Sequence, residues 1–263
     1  MSCFAYRGPH DTRELLCEHL INTYRQASMR WETNSLPQKI SYVLRLEEAE
    51  VRECILLAAL LHDIGKAAQK FQEECLKGIC ERFPQHYLVS AFYTHIVLCK
   101  AFNLNLRTED IISLLRGENG DREKLISLLV LYPIAFHHYH QVQDYTSYRP
   151  EELASPIHEV CRCCFEQIGE LIKCEFNVLE DVGKHLKDLP NMLVTKSVIL
   201  RSKIFINNIH EVINRIGRPR SFLPPAIEAI TGIVNLCDGI TARSNRGRGG
   251  RNAGRREEGA ALS

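Results

Sequence analysis

The sequence predicts an all-α protein. Apolar residues recur at helical spacing along nearly the whole chain, alternating strand patterns and Asn-Gly hairpin turns are essentially missing, and proline or glycine punctuates the segments. Asp11 and Thr12 are placed to cap a first helix whose apolar face holds Leu15, Leu16, Leu20 and Tyr24. Glu47 to Leu61 reads as a second helix and Tyr87 to Phe102 as another. Thr108 precedes the short helix DIISLLRG, which Gly117 closes. Arg122 to His138 is long and apolar, and Pro133 is expected to kink or end it. Pro156 opens a helix through Lys173, and Leu193 to Ile216 is a long helix that stops at Gly217-Arg218-Pro219. Pro224 and Pro225 start the last helix, expected to end near Arg243. No internal repeat is present.

Composition sets the class. Hydrophobic residues make up 45% of the 263 and charged residues 25%, globular values that exclude a fibrous or disordered protein. The longest apolar runs, such as ILLAALL at 55–61, fall far short of the roughly 20 residues of a membrane span. The start, MSCFAYRGPHD, has no apolar signal core, so the expectation is a cytoplasmic protein with no membrane partner. Net charge is +1, but unevenly placed: residues 1–242 hold 27 basic and 30 acidic residues, whereas 243–263 hold six Arg and two Glu. We therefore divide the chain into a domain over 1–242 and a flexible Arg/Gly-rich tail over 243–263. Arg246, Arg248 and Arg251 are the tail's candidate nucleic-acid contacts, through phosphate charge and guanidinium stacking. Eleven cysteines, an odd number without a framework pattern, read as mostly buried small apolar residues. Cys161 and Cys164 have Cys-x-x-Cys spacing, but no second pair lies nearby, so helix packing is expected rather than a zinc site.

The chemistry begins at LLHDIGKAAQKFQ, 61–72, where His62 and Asp63 follow a buried apolar helix. An imidazole and a carboxylate there are costly to desolvate unless they are paired or bind a cation. Adjacent helical residues point about 100° apart, so the two can embrace a metal from either side. Gly65 is read as opening room for substrate, and Lys66 as holding a phosphate or neutralising Asp63. His19 lies on the apolar face of the first helix, His86 starts HYLVSAFYTH, His137 and His138 end LLVLYPIAFHH, and Asp238 lies on the inward face of the last helix. His140 is the weakest histidine candidate. Together, His19, His62, Asp63, His86, His137, His138 and Asp238 are too many for one tetrahedral site and suit two adjacent metals. A two-metal centre activates a bridging water and stabilises both oxygens of an in-line phosphate displacement. Imidazole-rich ligation favours Mn, Fe, Co, Ni or Zn, although the carboxylates also admit Mg.

This pattern resembles the HD phosphohydrolase superfamily, named for the His…His-Asp…Asp order found here at His19, His62-Asp63 and Asp238. More narrowly, HDIGKAAQKFQ, then HYLVSA, then HH, is similar to the HD nuclease of the type I CRISPR-associated helicase–nuclease. The resemblance covers nearly all of 10–243 and implies an HD-domain helical bundle with a metal site at its centre. It implies one or two divalent metals held by those four residues, with His86, His137 and His138 as the extra ligands of the nuclease branch. It implies that Lys66 contacts the scissile phosphate, and that Asp63 and Lys66 form the catalytic pair. The implied activity is endo- or exonucleolytic cutting of single-stranded DNA, including R-loop strands, beside a superfamily-2 helicase and the CRISPR surveillance complex. Tyr139 stands where the family often has glycine after the double histidine, and an inserted helical hairpin is expected around 103–132. Residues 144–220 contain no motif we can assign. Helicase motifs are absent from the sequence, so the expectation is a stand-alone nuclease subunit. The alternatives are an HD phosphohydrolase acting on dNTPs or cyclic nucleotides, and a non-catalytic scaffold that binds nucleic acid through its tail.

Overall fold

The computed structural model describes residues 2–9, 12–118, 120–138, 153–193, 205 and 221–257, the last twelve as backbone only. The helix is the dominant element, as the sequence predicts. Among the described residues the exception is a small antiparallel pair, β1 (Phe4–Arg7) and β2 (Arg13–Leu15), with Phe4 opposite Leu15 and Arg7 opposite Arg13. Strands of four and three residues are too short to show a period of two, so the sequence pattern missed them. They also displace the expected first cap. Thr12 donates its hydroxyl to Pro9 O inside the turn, Asp11 lies outside the described residues, and α1 (Leu16–Ser28) starts after Leu15 without a side-chain cap.

The centre of the molecule is α3 (Glu48–Leu61). Glu47 accepts from the backbone of Glu50, while Glu50 Oε2 accepts from Glu47 N at 2.7 Å, and this reciprocal box starts the helix. From Cys54 to Leu61 every residue is apolar and buried, and a helix that is apolar on all sides belongs in the middle of a core. It packs against α1, α2 (Trp31–Leu44), α7 (Arg122–Phe136) and the last helix, α10 (Leu223–Glu257). A short 3-10 turn, Ile64–Ala67, leads from α3 to α4 (Gln69–Lys77). Then α5 (His86–Ala101), buried from His86 to Leu98, packs on α7 and on the 3-10 turn. Gly117, at φ 77°, closes α6 (Thr108–Leu115), as its position predicts. Pro133 lies inside α7 without ending it, and the helix runs on to Phe136.

Between 153 and 193 the order is a 3-10 turn, Glu159–Cys161, then α8 (Arg162–Glu175) and α9 (Glu180–Met192), which pack on each other. The helix expected from Pro156 therefore starts later. His158 Nδ1 caps its leading turn by accepting from Val160 N at 3.2 Å. Of the helix expected over 193–216, all but Leu193 and Phe205 lies outside the described residues. The backbone of α10 continues to Glu257, so the boundary drawn at 243 is not a helix end. Among the described residues no helix is long and apolar enough to cross a membrane.

The structure pairs four cysteines, which the sequence left open, and it corrects the reading of Gly65. Cys3 and Cys161 form a disulfide, as do Cys75 and Cys80, so four of the eleven are not free thiols. Cys161 is thereby removed from any Cys-x-x-Cys metal pair. Cys54, Cys164 and Cys237 are buried free thiols, in line with the packing reading. Gly65 does not open room for substrate. A Cβ built there would lie 2.4 Å from Ser90 N and 2.5 Å from His86 O, while Gly65 N donates to Ser90 Oγ at 2.8 Å. The glycine lets the turn after His62-Asp63 press against the first turn of α5. Gly65→Ala must part that contact, and overpacking of this kind costs about 1–3 kcal/mol. A denaturant titration should show the loss, with metal affinity falling alongside because His86 moves.

Candidate metal centre

The chemical side chains arrive from separate parts of the chain. His19 is on α1, His62 and Asp63 follow the last residue of α3, and Lys66 lies in the 3-10 turn beyond them. His86 starts α5, His137 and His138 follow α7, and Asp238 is on α10. All seven candidate ligands converge. The carboxylate and imidazole atoms form two groups, His19, His62, Asp63 and Asp238, and Asp63, His86, His137 and His138. Within each group the ligand atoms lie within 4.8 Å of one another, and Asp63 belongs to both.

Helix ends aim the rings. The last carbonyls of a helix lack an intrahelical partner. His62 Nδ1 bonds Ala59 O at 2.9 Å and His137 Nδ1 bonds Ile134 O at 2.6 Å, each at the C-terminal end of its helix. His86 Nδ1 bonds Phe83 O, in the loop before α5, at 2.6 Å. A carbonyl only accepts, so Nδ1 carries the hydrogen in all three rings. The Nε2 lone pairs therefore face inward, the tautomer a metal requires. His19 Nδ1 is held differently, by Glu14 Oε1 at 2.7 Å.

Around Asp63 the distances are short. Oδ1 lies 2.9 Å from His86 Nε2 and 3.5 Å from His137 Nε2, and Oδ2 lies 3.3 Å from His19 Nε2 and 3.5 Å from His62 Nε2. Asp238 Oδ1 lies 3.3 Å from His19 Nε2 and 3.7 Å from His62 Nε2. Asp63 Oδ1, His86 Nε2 and His137 Nε2 are buried without a hydrogen bond. Lone pairs thus face lone pairs out of reach of water, an arrangement a divalent cation satisfies and ordinary packing does not. The donor set of imidazoles and carboxylates fits the transition metals named above.

The electrostatics differ between the two groups. Burial raises the Asp63 carboxyl, but Lys66, His62 and His86 outweigh it and hold the group well below the usual carboxylate range. Burial likewise opposes ionisation of Asp238, and His19 and His62 overcome it and pull the carboxyl down. For His19, burial works against the proton, yet Asp238, Asp63 and Glu14 raise the ring well above its ordinary value. The field at that corner favours a cation. On the other side, burial lowers His137, and burial with the neighbouring His137 and His86 rings lowers His138 to about 3. Those rings stay neutral and available as ligands.

Lys66 Nζ sits 2.6 Å from Asp63 Oδ2 and 5.1 Å from the Phe83 ring centroid. Of the two roles left open for it, the structure shows the ion pair. Arg246, Arg248 and Arg251 have side chains outside the described residues, and so does all of His140. Two contributors escaped the sequence reading. Glu14, buried on β2, backs His19, and Asn245 Nδ2 on α10 donates to the same Glu14 oxygen at 2.7 Å. The available signal was a carboxylate five residues before a histidine on an apolar face, which means little until the strand pair is known.

The shared aspartate makes the two groups separable by mutation. The full chain should retain two Mn or Ni ions after dialysis, His137→Ala one, and Asp63→Ala none. Elemental analysis reads the content, and circular dichroism should show the helices intact in all three. Two ions retained by Asp63→Ala would rule out the shared-ligand arrangement.

Comparison with known proteins bears on most of the chain. The family model described as "Cas3, HD domain" matches residues 6–244. A solved structure described as "Crystal structure of CRISPR-associated protein" aligns with 89% of this chain at 13% identity and a TM-score of 0.38. This chain spans 26% of the length of that one. No curated protein matches. The family match takes in His19, His62, Asp63, His86, His137, His138 and Asp238 together, and the chain belongs to the Cas3 HD-domain family of CRISPR-associated, metal-dependent hydrolases.

Proposed function

We propose that the chain is a metal-dependent nuclease that hydrolyses phosphodiester bonds of single-stranded DNA in CRISPR interference. A separate superfamily-2 helicase subunit supplies the strand. One observation carries the reading: two four-ligand groups joined through Asp63, with the other ligand atoms turned inward. Bound divalent metals would polarise the phosphate and lower the pKa of the attacking water. His19, His62, Asp63 and Asp238 would hold one ion, and His86, His137 and His138 the second with Asp63. Lys66 keeps a positive charge at the centre through its contact with Asp63 and offsets negative charge that builds on the phosphate. Burial of His62 and Asp63 excludes bulk water and strengthens each of these interactions. Residues 1–242 form the nuclease unit in this reading, working in the cytoplasm beside the surveillance complex.

The test is a cleavage assay on chelated protein resupplied with Mg, Mn, Co or Ni. Substrates are single-stranded DNA, duplex DNA, single-stranded RNA and mixed dNTPs, with His62→Ala/Asp63→Ala as control. Metal-dependent cutting of single-stranded DNA that the control lacks is expected. Phosphate release from dNTPs with intact DNA would replace this reading with a nucleotide hydrolase.

The tail is proposed to hold the strand near the site through Arg246, Arg248 and Arg251. Deleting 246–263 keeps Asn245 but removes five of the six tail arginines. Binding to single-stranded DNA should weaken and the slope of log affinity against log salt should flatten, each phosphate contact being worth about 0.7 of slope. Metal content should not change, and an unaltered slope would dismiss the tail's role.

A further inference from the structure

We propose that Glu14 is a positioning residue for the metal ligand His19, held in place by Asn245, and that it sets metal affinity in one of the two ligand groups only. The proposal rests on the metal-centre reading and goes beyond its ligand set. His62, His86 and His137 each fix their tautomer on a main-chain carbonyl three residues earlier. His19 is placed differently. It is the fourth residue of α1, inside the helix rather than at its end, and its Nδ1 takes its partner from outside the helix.

Glu14 supplies it. β2 places its buried carboxylate five residues before His19, with Oε1 2.7 Å from His19 Nδ1. From α10, the helix that also carries Asp238, Asn245 Nδ2 donates to that same oxygen at 2.7 Å. The carboxylate thus ties the strand pair, α1 and α10 together behind one ligand. A carboxylate behind a ligating imidazole fixes the ring and raises its basicity, and losing such a partner typically costs about 10–100-fold in metal affinity. His86, His137 and His138 have no part in this contact, so the effect should stay in the group that contains His19 and Asp238.

Calorimetric titration of chelated full-length protein with Mn or Ni tests this. Wild type is expected to show two classes of site. Glu14→Gln keeps an acceptor for Nδ1–H but loses the charge, and should weaken one class about tenfold or more. Glu14→Ala should weaken the same class further, Asn245→Ala less, and His19→Ala should remove it. The second class should be unchanged throughout, which a merely structural role would not produce. Equal affinities in wild type and Glu14→Gln, or equal weakening of both classes, would overturn the proposal. No metal binding by wild type would instead overturn the metal-centre reading beneath it. Glu14→Gln is nearly isosteric, so the test stands even if Glu14→Ala unfolds.

Discussion

The burial of the Asp63 carboxylate is the constraint on which the rest of the site depends. An ionised carboxylate taken out of water costs several kcal/mol unless charges and hydrogen bonds replace its hydration. Here Lys66 at 2.6 Å replaces part of it, while the imidazoles of four separate helical segments crowd the same two oxygens and leave Oδ1 without a hydrogen bond, a deficit that a cation fills. Asp238 and Glu14 add two more carboxylates to the same region, and among the described side chains Lys66 is the one lysine or arginine paired with any of the three. A region built in this way attracts cations, and the upward pull on His19 shows the same field acting on a proton.

That constraint also explains the arrangement of helices. α3 and α7 both end at the site, and a helix C-terminus carries the negative end of its dipole. Their free carbonyls orient His62 and His137, while their dipoles favour the cation those rings would hold. α5 begins at the site, with an N-terminal dipole unfavourable to a cation, and there the ring is backed by a loop carbonyl instead. Gly65 lets this N-terminus approach the turn after Asp63 without an intervening side chain. One chain segment, His62 to Lys66, therefore supplies two candidate ligands, the charge that steadies one of them, and the close contact that brings in the next.

Much of this was readable beforehand, for a physical reason. His19, His62, Asp63, His86, His137 and Asp238 interrupt apolar helical faces, and such interruptions are costly enough to stand out in a single sequence. The helices at the centre, α3, α5 and α7, are long apolar runs, and the sequence delimits them closely. What escaped is shorter or poorer in apolar residues. α2 contains Pro37 and buries few residues, α4 buries only Phe71, Gln72 and Cys75, and α9 contains Gly183 and Pro190. The disulfides escaped because pairing depends on proximity: Cys3 and Cys161 are 158 residues apart in sequence.

Glu14 belongs to this second kind. A glutamate near the start of a chain is ordinary, and only the fold buries it, on β2 between His19 of α1 and Asn245 of α10. The strand pair is therefore more than an ornament on a helical bundle. It places a carboxylate acceptor beside a histidine within a helix, whereas the histidines at helix ends find theirs in the main chain. Ligands can be recognised by residue type, but the groups that aim them follow from where each ligand sits on its helix.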